Sequence, residues 1–470
     1  MRAEHFDYAV IGAGSGGLTV AAAAARFGRK VVLFEKSEMG GDCLNSGCVP
    51  SKALLAAAKH AEAMRRAARF GIAPVEPQVD FAAVMAHVRR AIAAIAPHDS
   101  QERFEKLGVR VIRAAATFLD PHTLEAAGRR YTARRVVIAT GSRPAVPPIP
   151  GLADAPHLTN ETLFANETLP SHLLVIGAGP VGIEMAQAHR RLGSAVTVID
   201  AGEPLAAQDP ELARVVLAQL EAEGVRLIRR TAIVQAFHAG GAVGLELADG
   251  ARLTGSHILV AAGRRPNVEG LGLEAAGIAY TDRGISVGRN LKTSNRRVHA
   301  VGDVAGGSFT HEAGHQAGLV IRNALFGLPV RPERHVPRVI YGDPELAQAG
   351  LTEEEARAAH GGAVKVLRWP FSGNDRAQAE GRTDGLVKVV TGRRGIILGC
   401  GIVGPEAGEL IQPWILALQQ RLRIGQMIST VLPYPTRGEA SRRAALEYFA
   451  DFASNPLVRR VTRLIGALIP

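Results

Sequence analysis

The feature that most constrains the fold of this 470-residue chain is a glycine-rich segment that occurs twice, the second copy 165 residues after the first. Each copy predicts a strand, a turn of the form Gly-x-Gly-x-x-Gly, a helix and a second strand that ends in an acid. The matched glycines are Gly12, Gly14 and Gly17 in the first copy and Gly177, Gly179 and Gly182 in the second. The acids are Glu35 and Asp200, each 18 residues after the third glycine. The repeat predicts two similar α/β units.

The residue types in this segment suit a bound dinucleotide. The first glycine makes the tight turn, the second lets the backbone approach a pyrophosphate, and the third allows helix and strand to pack closely. The helix N-terminus offers free N–H groups, and the acid accepts a hydrogen bond from a ribose hydroxyl. One such turn can be purely structural, but two copies in the same context favour two nucleotide sites. FAD with a nicotinamide is the usual pair.

The acid of the second copy bears on which nicotinamide binds. A carboxylate at Asp200 accepts from a 2′-hydroxyl and repels a 2′-phosphate, which favours NADH over NADPH. Arg264 and Arg265 lie in the same half of the chain and can weaken this preference. NADPH therefore stays an alternative.

The segment 40–52 carries two cysteines, Cys43 and Cys48, on a Gly-rich turn that leads into a predicted helix. Cysteines at this spacing can close a small disulfide ring. Lys52 lies on the same helix face as Cys48, and a cation and a helix N-terminus both lower a thiol pKa. No further Cys or His lies nearby to complete a metal site, so no metal ligand is predicted. A redox-active pair is favoured over inert cysteines, and Cys400 is read as a buried bystander.

These motifs resemble those of the class I pyridine nucleotide–disulfide oxidoreductases, which include dihydrolipoyl dehydrogenase, glutathione reductase and mercuric reductase. The resemblance spans nearly the whole chain. Besides the cysteine segment, it is carried by Ala-Thr-Gly-Ser-Arg-Pro at 139–144, Ala-Gly-Arg-Arg-Pro-Asn at 262–267 and Val-Gly-Asp-Val-Ala at 301–305.

The resemblance implies cofactor-binding roles for these runs. Asp303 would bind the ribityl or phosphate region of FAD. The turn at Thr140 and Gly141 would lie against the flavin nucleotide, and Gly263 would belong to the cofactor-binding residues. Ala313, with the four residues before it, would line the isoalloxazine ring.

The resemblance also implies the catalytic residues. Cys48 would be the thiol that faces the flavin, and Cys43 the interchange thiol that faces the substrate. Lys52 and Glu184 would form an ion pair beside the reactive nitrogen of the flavin, on the side where the nicotinamide stacks.

The implied fold class is α/β, with two Rossmann-like dinucleotide-binding domains and a C-terminal α+β dimerisation domain. The expected FAD-binding domain covers 1–145 and 276–335, with the NAD(P)-binding domain at 146–275 between its two parts. The dimerisation domain is expected at 336–455. It would complete the active site of the partner, so the protein would be a homodimer.

One position departs from the family pattern. Disulfide-reducing members carry His-Pro-Thr-x-x-Glu near the C-terminus, in which the His exchanges protons with the interchange thiol and the Glu orients it. Here the run begins with Tyr434 and ends with Glu439. A phenol with a pKa near ~10 exchanges protons poorly at neutral pH, unlike an imidazole near ~6.5.

The function predicted from these features is an FAD-dependent NAD(P)H oxidoreductase that resembles mercuric reductase and reduces a metal ion or another non-disulfide acceptor. A dihydrolipoyl dehydrogenase-type disulfide reductase is the first alternative. A low-turnover, redox-sensing or membrane-recruited flavoprotein is the second.

Composition limits the partners and the compartment. The net charge of +11 attracts anions, but no block of Lys and Arg is interleaved with aromatics, so nucleic acid is not expected. Three cysteines and the absence of an apolar leader or span predict a cytoplasmic protein. Residues 456–470 predict a basic amphipathic helix, which either contacts an anionic membrane or packs on the body or the dimer partner.

Overall fold

The computed structural model describes residues 3–333 and 335–469. They form two compact units, neither of which is one continuous stretch of chain. The first contains the residues up to Glu62 together with Glu76–Ala201 and Leu227–Glu333. The second contains Ala63–Val75, Gly202–Arg226 and residues 335–469. The domain boundaries given above stay a prediction.

The strands, in chain order, are β1 (Glu4–Ile11), β2 (Val31–Phe34), β3 (Val109–Ile112), β4 (Thr117–Phe118), β5 (Thr123–Ala126), β6 (Arg129–Ile138), β7 (Ser142–Pro144), β8 (His172–Ile176), β9 (Ala195–Ile199), β10 (Arg226–Ile228), β11 (Ile233–Ala239), β12 (Ala242–Leu247), β13 (Arg252–Gly255), β14 (His257–Val260), β15 (Arg264–Pro266), β16 (Tyr280–Thr281), β17 (Gly284–Ile285), β18 (Val298–Ala300), β19 (Arg338–Ile340), β20 (Glu345–Gly350), β21 (Lys365–Pro370), β22 (Leu386–Thr391) and β23 (Ile397–Gly404).

The α-helices, in chain order, are α1 (Ser15–Arg26), α2 (Gly41–Asn45), α3 (Cys48–Arg65), α4 (Phe81–Ile95), α5 (Gln101–Lys106), α6 (Asn160–Leu163), α7 (Pro180–Leu192), α8 (Pro210–Ala222), α9 (Thr310–Phe326), α10 (Glu353–His360), α11 (Asp375–Ala379), α12 (Ala407–Leu410), α13 (Gln412–Gln419), α14 (Ile424–Ile428), α15 (Glu439–Leu446), α16 (Ala450–Ser454) and α17 (Pro456–Leu468).

A parallel sheet in the order β3-β2-β1-β6 forms the centre of the first unit, and β18 also pairs with β6 in parallel. The apolar end of β1 is buried, as expected for a parallel strand covered on both faces. Ala21 and Ala24 of α1 are fully buried, because side chains of this size let the helix pack closely on the sheet. Because β18 pairs with β6, residues 298–300 belong to the same sheet as β1, the strand that leads into the first glycine turn.

The second glycine copy has the same local structure as the first. Strands β9, β8 and β14 pair in parallel, with β10 next to β9. Helix α7 begins at Pro180, ends at Leu192 and is capped by Gly193, whose φ of +116° is in the left-handed region that favours glycine. The antiparallel strands β11, β12 and β13 add a small second sheet.

The second unit is built on the sheet β19-β20-β23-β22-β21, in which the neighbouring strands are antiparallel. Trp414 of α13 is fully buried in its core and donates a hydrogen bond to Ser441 Oγ of α15 at 3.1 Å. Cys400 lies buried in β23, where burial raises its pKa. The predicted burial of Cys400 and the predicted α/β class are both confirmed.

The last helix, α17, is largely exposed to solvent. The apolar side chains of α17 that the structure describes are exposed or half-buried, so the chain itself does not bury this helix in a core. Among the residues described, no helix combines the length and the apolar character that crossing a bilayer requires.

Candidate active site

The first glycine turn has the geometry of a dinucleotide-binding turn. Its backbone leaves no room for side chains where strand and helix meet. Gly12 has a φ of +102°, and a Cβ there would lie 2.4 Å from Ala139 O. A Cβ on Gly17 would lie 1.9 Å from Gly12 O. A Cβ on Gly14, by contrast, would meet no described atom within 4 Å, so the turn is open on that side, at the N-terminus of α1.

The second turn repeats this geometry. Gly177 has a φ of +103°, a Cβ on Gly182 would lie 2.0 Å from Gly177 O, and Gly179 is open. The two acids also have equivalent contacts. Glu35 Oε2 accepts from Ala13 N at 2.7 Å, and Asp200 Oδ2 accepts from Ala178 N at 2.7 Å. Each acid therefore holds its own turn in shape, and its role in binding a ribose hydroxyl stays a prediction.

Cys43 lies on α2, and Cys48 is the first residue of the longer helix α3. Both are free thiols in the structure. The Cys43 thiol donates a hydrogen bond to Cys48 Sγ, which lowers the pKa of Cys48 to about 6 despite partial burial. Thr310 Oγ1, at 3.3 Å from Cys48 Sγ, and the charge of Lys52 lower it further. The same bond and burial raise the pKa of Cys43. Cys48 is thus the thiolate and Cys43 the protonated partner.

Lys52 lies one turn after Cys48 on α3, and its Nζ is 2.8 Å from Glu184 Oε2. Glu184 is on α7, two residues after the third glycine of the second turn, and its side chain is only 5% exposed. The structure thus joins the cysteine helix to the second glycine unit through this pair. The roles of both residues in the reaction stay predictions.

Asp303 lies in a polar network with Ser142 and Arg264. Ser142 Oγ donates to Asp303 Oδ2, and Arg264 Nε is 3.7 Å from the same oxygen. Arg264 also contacts Asp42 Oδ2 at 3.1 Å, beside the cysteines. These contacts place the guanidinium of Arg264, a residue that can weaken the preference for NADH, between Asp42 and Asp303.

The remaining predicted cofactor residues lie in turns and at the start of α9, all within the first unit. Thr140 Oγ1 donates to Asn267 O at 2.8 Å, and Asn267 N donates to Gly141 O at 2.9 Å, so the two runs hold each other in place. Gly263 has a φ of +119° and open space beside its Cα. Ala313 is buried in the first turn of α9.

Tyr434 lies in the second unit and is 70% exposed. Its hydroxyl donates to Asp375 Oδ2 at 2.9 Å, and this bond raises the pKa of Tyr434. Glu439 begins α15 and contacts Arg443 at 3.4 Å, so it does not accept the Tyr434 hydroxyl. Sequence reasoning therefore missed Asp375, which holds the phenol, just as it missed the contact of Thr310 with Cys48.

Within residues 3–333 and 335–469, no group of three or more His, Cys, Asp or Glu side chains is placed to hold a metal ion. The ionisable side chains near the cysteines form pairs and small networks instead, such as Lys52 with Glu184 and Arg264 with Asp42.

Comparison with known proteins agrees with this site. Residues 6–318 match the family described as pyridine nucleotide-disulphide oxidoreductase, and residues 336–445 match its dimerisation domain. The chain belongs to this family, whose members use FAD and NAD(P)H as cofactors. It is therefore a flavoprotein oxidoreductase that carries a dimerisation domain.

Relatives with different activities are similar along nearly the full length. The chain is 38% identical to a dihydrolipoyl dehydrogenase of Thermus scotoductus, over 94% of this chain and 96% of that protein. It is 35% identical to a mercuric reductase of Streptomyces lividans, over 95% and 97%. The Cu(II) complex of the HOCl-induced flavoprotein disulfide reductase RclA from Escherichia coli has a TM-score of 0.84 at 26% identity, covering 93% of this chain and 99% of that one.

Proposed function

We propose that this chain is an FAD-dependent NAD(P)H oxidoreductase that works as a homodimer and reduces a metal ion or another acceptor that is not a disulfide. The observation that carries the proposal is the phenol of Tyr434, with its hydroxyl bonded to Asp375, at the position where disulfide-reducing members have an imidazole. The family's dimerisation domain supports the homodimer.

The chemistry of thiol–disulfide exchange explains why this residue matters. The leaving thiolate of a disulfide substrate must be protonated, and a group with a pKa near the working pH does this best. The Asp375 carboxylate raises the pKa of Tyr434 above its ordinary value near 10. A phenol held in this way releases its proton poorly at neutral pH. Reduction of a metal ion requires no such proton donor.

The cysteine pair supplies the electrons for such an acceptor. When bound, FAD and a nicotinamide supply the hydride chemistry that the side chains lack. Oxidation of the dithiol forms the bond between Cys43 Sγ and Cys48 Sγ, passes two electrons to the acceptor and releases the proton of Cys43 to solvent. Thiolates are also soft ligands, which suits a soft metal ion as the substrate.

Charged side chains of the first unit would position the two cofactors. Lys52, paired with the buried Glu184, would place a cation beside the flavin. Asp200 favours NADH over NADPH because a 2′-phosphate would lie close to its carboxylate. The guanidinium of Arg264 contacts Asp42 and Asp303 and is therefore not directed to a 2′-phosphate, which supports the same preference for NADH. The ratio of kcat/KM for NADH to that for NADPH tests it.

Two of the similar proteins support an acceptor of this kind. One is the mercuric reductase of Streptomyces lividans, and the other is RclA, which was solved as a Cu(II) complex. The dihydrolipoyl dehydrogenase of Thermus scotoductus, with 38% identity, favours a disulfide substrate and is the basis of the alternative function. A low-turnover redox sensor is the third candidate.

The deciding experiment compares acceptors on one preparation of holoenzyme. The enzyme is reduced by NADH without oxygen and then mixed with Hg(II), Cu(II), a quinone or lipoamide. We expect a metal ion or the quinone to be reduced faster than lipoamide. Faster turnover of lipoamide would favour the dihydrolipoyl dehydrogenase function, and a flavin that NADH fails to bleach would favour the sensor.

The substitution Tyr434→His tests the role of the phenol directly. Because general acid–base catalysis contributes about 10²–10⁴-fold, we expect this variant to reduce lipoamide about a hundredfold faster than the wild type. Its rate with metal ions should be unchanged. Tyr434→Phe is the matched control and should show no gain with lipoamide. A loss of lipoamide turnover in Tyr434→Phe would show that the phenol already acts as the proton donor.

A further inference from the structure

The helix α17 has a sequence that separates apolar from basic side chains. At 100° per residue, Leu457, Val461, Leu464 and Ile465 fall within about 100° of arc on one side. Arg459 and Arg463 lie on the opposite side, and Arg460 lies at the border between the two faces. No Asp or Glu is present from 456 to 470. The helix is therefore amphipathic and purely basic.

The apolar face is uncovered in the structure. Leu457 is 70% exposed, Leu464 59% and Ile465 47%. Phe452 of the neighbouring α16 is 61% exposed and adds an aromatic side chain just before the helix. Burying a leucine-sized side chain is worth about 1.5–3 kcal/mol. A row of such residues in water therefore indicates a surface that another body covers.

The charge of the helix indicates what that body is. Arg460 and Arg463 form no ion pair with any carboxylate among the described residues, so both guanidinium groups remain available to anions. A second copy of the chain would bring the same three arginines and the same net charge of +11. An anionic lipid bilayer, in contrast, complements both faces of the helix. Its headgroups attract the arginines, and the hydrocarbon directly beneath them accepts the apolar side chains.

We propose that α17 docks in the headgroup region of an anionic lipid bilayer, with its axis along the membrane surface. Its 13 residues measure about 20 Å in length, which is shorter than the ~30 Å hydrocarbon core. The apolar face enters the boundary with the acyl chains, while the arginine stems extend their guanidinium groups back to the phosphates. This proposal is independent of the electron acceptor and holds for any of the reductase functions above.

Sedimentation with vesicles tests the proposal on the full-length holoenzyme. Vesicles of phosphatidylcholine and phosphatidylglycerol in equal parts should bind the protein, and vesicles of phosphatidylcholine alone should bind it far more weakly. Because each arginine near an anionic surface contributes roughly fivefold to binding, Arg460→Gln with Arg463→Gln should reduce the affinity about 25-fold. Added salt should weaken binding of the wild type in the same direction.

Substitutions on the two faces separate docking from simple attraction of a basic protein. Leu464→Gln with Ile465→Gln should reduce the affinity for anionic vesicles by about tenfold per residue, because each removes a buried aliphatic group. Thr462→Gln changes an exposed side chain on the polar arc of the same helix and should leave binding unchanged. Flavin absorbance and Tm should match the wild type in all variants, since α17 is exposed.

Two results would overturn the proposal. One is the absence of binding to anionic vesicles at low salt. The other is equal binding by the apolar double variant and Thr462→Gln, which would show that charge alone accounts for the interaction. If the wild type fails to bind vesicles and the apolar double variant also converts a dimer to monomers in light scattering, a second copy of the chain covers this face.

Discussion

At the scale of single residues, one hydrogen bond makes the two active-site cysteines different. The Cys43 thiol donates to Cys48 Sγ, so the pKa of Cys48 falls to about 6 and that of Cys43 rises. The two groups share one proton, and their titrations are properties of the pair. The Thr310 hydroxyl lowers the pKa of both thiols, and the charge of Lys52 further lowers that of Cys48. The reduced protein therefore carries a thiolate at a defined position at neutral pH.

We expect Cys48 in the reduced protein to react with iodoacetamide with a pH midpoint near 6. The thiolate is the reactive form, so the alkylation rate should fall as the pH drops through that value. Cys43→Ala removes the donor and should move the midpoint upward. Cys43→Ser retains a hydroxyl donor and should move it less. A midpoint near 9 in the wild type, the ordinary value for a thiol, would contradict this account.

Which of these residues could be predicted depends on their separation along the chain. Cys43, Cys48 and Lys52 lie within ten residues, so helix geometry alone brings the last two together. The contact between Cys48 and Thr310 spans 262 residues, and Asp375 precedes Tyr434 by 59. Neither contact leaves a periodic signal in the sequence, because each arises only from tertiary packing.

At the scale of elements, the two glycine turns are built alike and are predicted to bind different cofactors. Both place a glycine with φ near +102° at the end of a strand and a third glycine against the carbonyl of the first. Both are held by an acid from the next strand. This repeat could be predicted from sequence because glycine spacing fixes the turn. The exposure of α17 could not, because amphipathicity alone does not show what covers a helix.

Substitutions in the two turns should separate the two cofactors. In Gly182→Ala a Cβ would lie 2.0 Å from Gly177 O, so the turn must move. We expect this variant to keep the absorbance of bound flavin but to lose NADH-driven flavin reduction by on the order of a hundredfold, because a displacement of about 1 Å in reacting groups has such an effect.

Gly17→Ala creates the equivalent contact at 1.9 Å in the first turn. It should purify with little flavin, and thus provides the matched comparison. Loss of flavin from Gly182→Ala, or normal NADH kinetics in it, would contradict the assignment of the second turn to the nicotinamide.

At the scale of the whole molecule, the second unit is assembled from distant segments around one buried ammonium group. Lys388 Nζ lies 2.8 Å from Asp209 Oδ2, 2.8 Å from Glu211 Oε2 and 3.0 Å from Glu353 Oε2, with a side chain only 5% exposed. Burial opposes its charge, but these bonds outweigh burial and raise its pKa. Burial raises the pKa of Glu353, but hydrogen bonds from Lys388 and Arg357 outweigh burial and lower that pKa to about 2.

We expect Lys388→Gln to lower the free energy of unfolding by about 3–5 kcal/mol, because it leaves the buried Asp209 carboxylate without its cation, whereas Glu211 and Glu353 keep their contacts with Arg368. Lys365→Gln, which breaks a more exposed pair with Asp451, is the matched control and should cost at most about 1 kcal/mol. Urea unfolding of both variants measures the difference. Equal effects of the two substitutions would show that the cluster contributes no more than a surface pair.

The pH dependence follows from the direction of each shift. The contribution of Glu353 is present above about pH 4.5 and is lost as the pH falls through about 2. The contribution of Lys388 is present below its ordinary pKa of 10.5 and is lost as the pH rises through its raised value.

The position of Lys388 also limits how this chain can be divided for study. The match to the dimerisation domain begins at residue 336, but Asp209 and Glu211 belong to a segment more than a hundred residues earlier. A fragment cut at residue 336 would keep the ammonium group and only one of these three carboxylates. It would also lose Leu212, which packs against Gly401 of β23. The shortest fragment that retains this core must therefore include α8, so conventional truncation at the family boundary would remove part of the unit it aims to isolate.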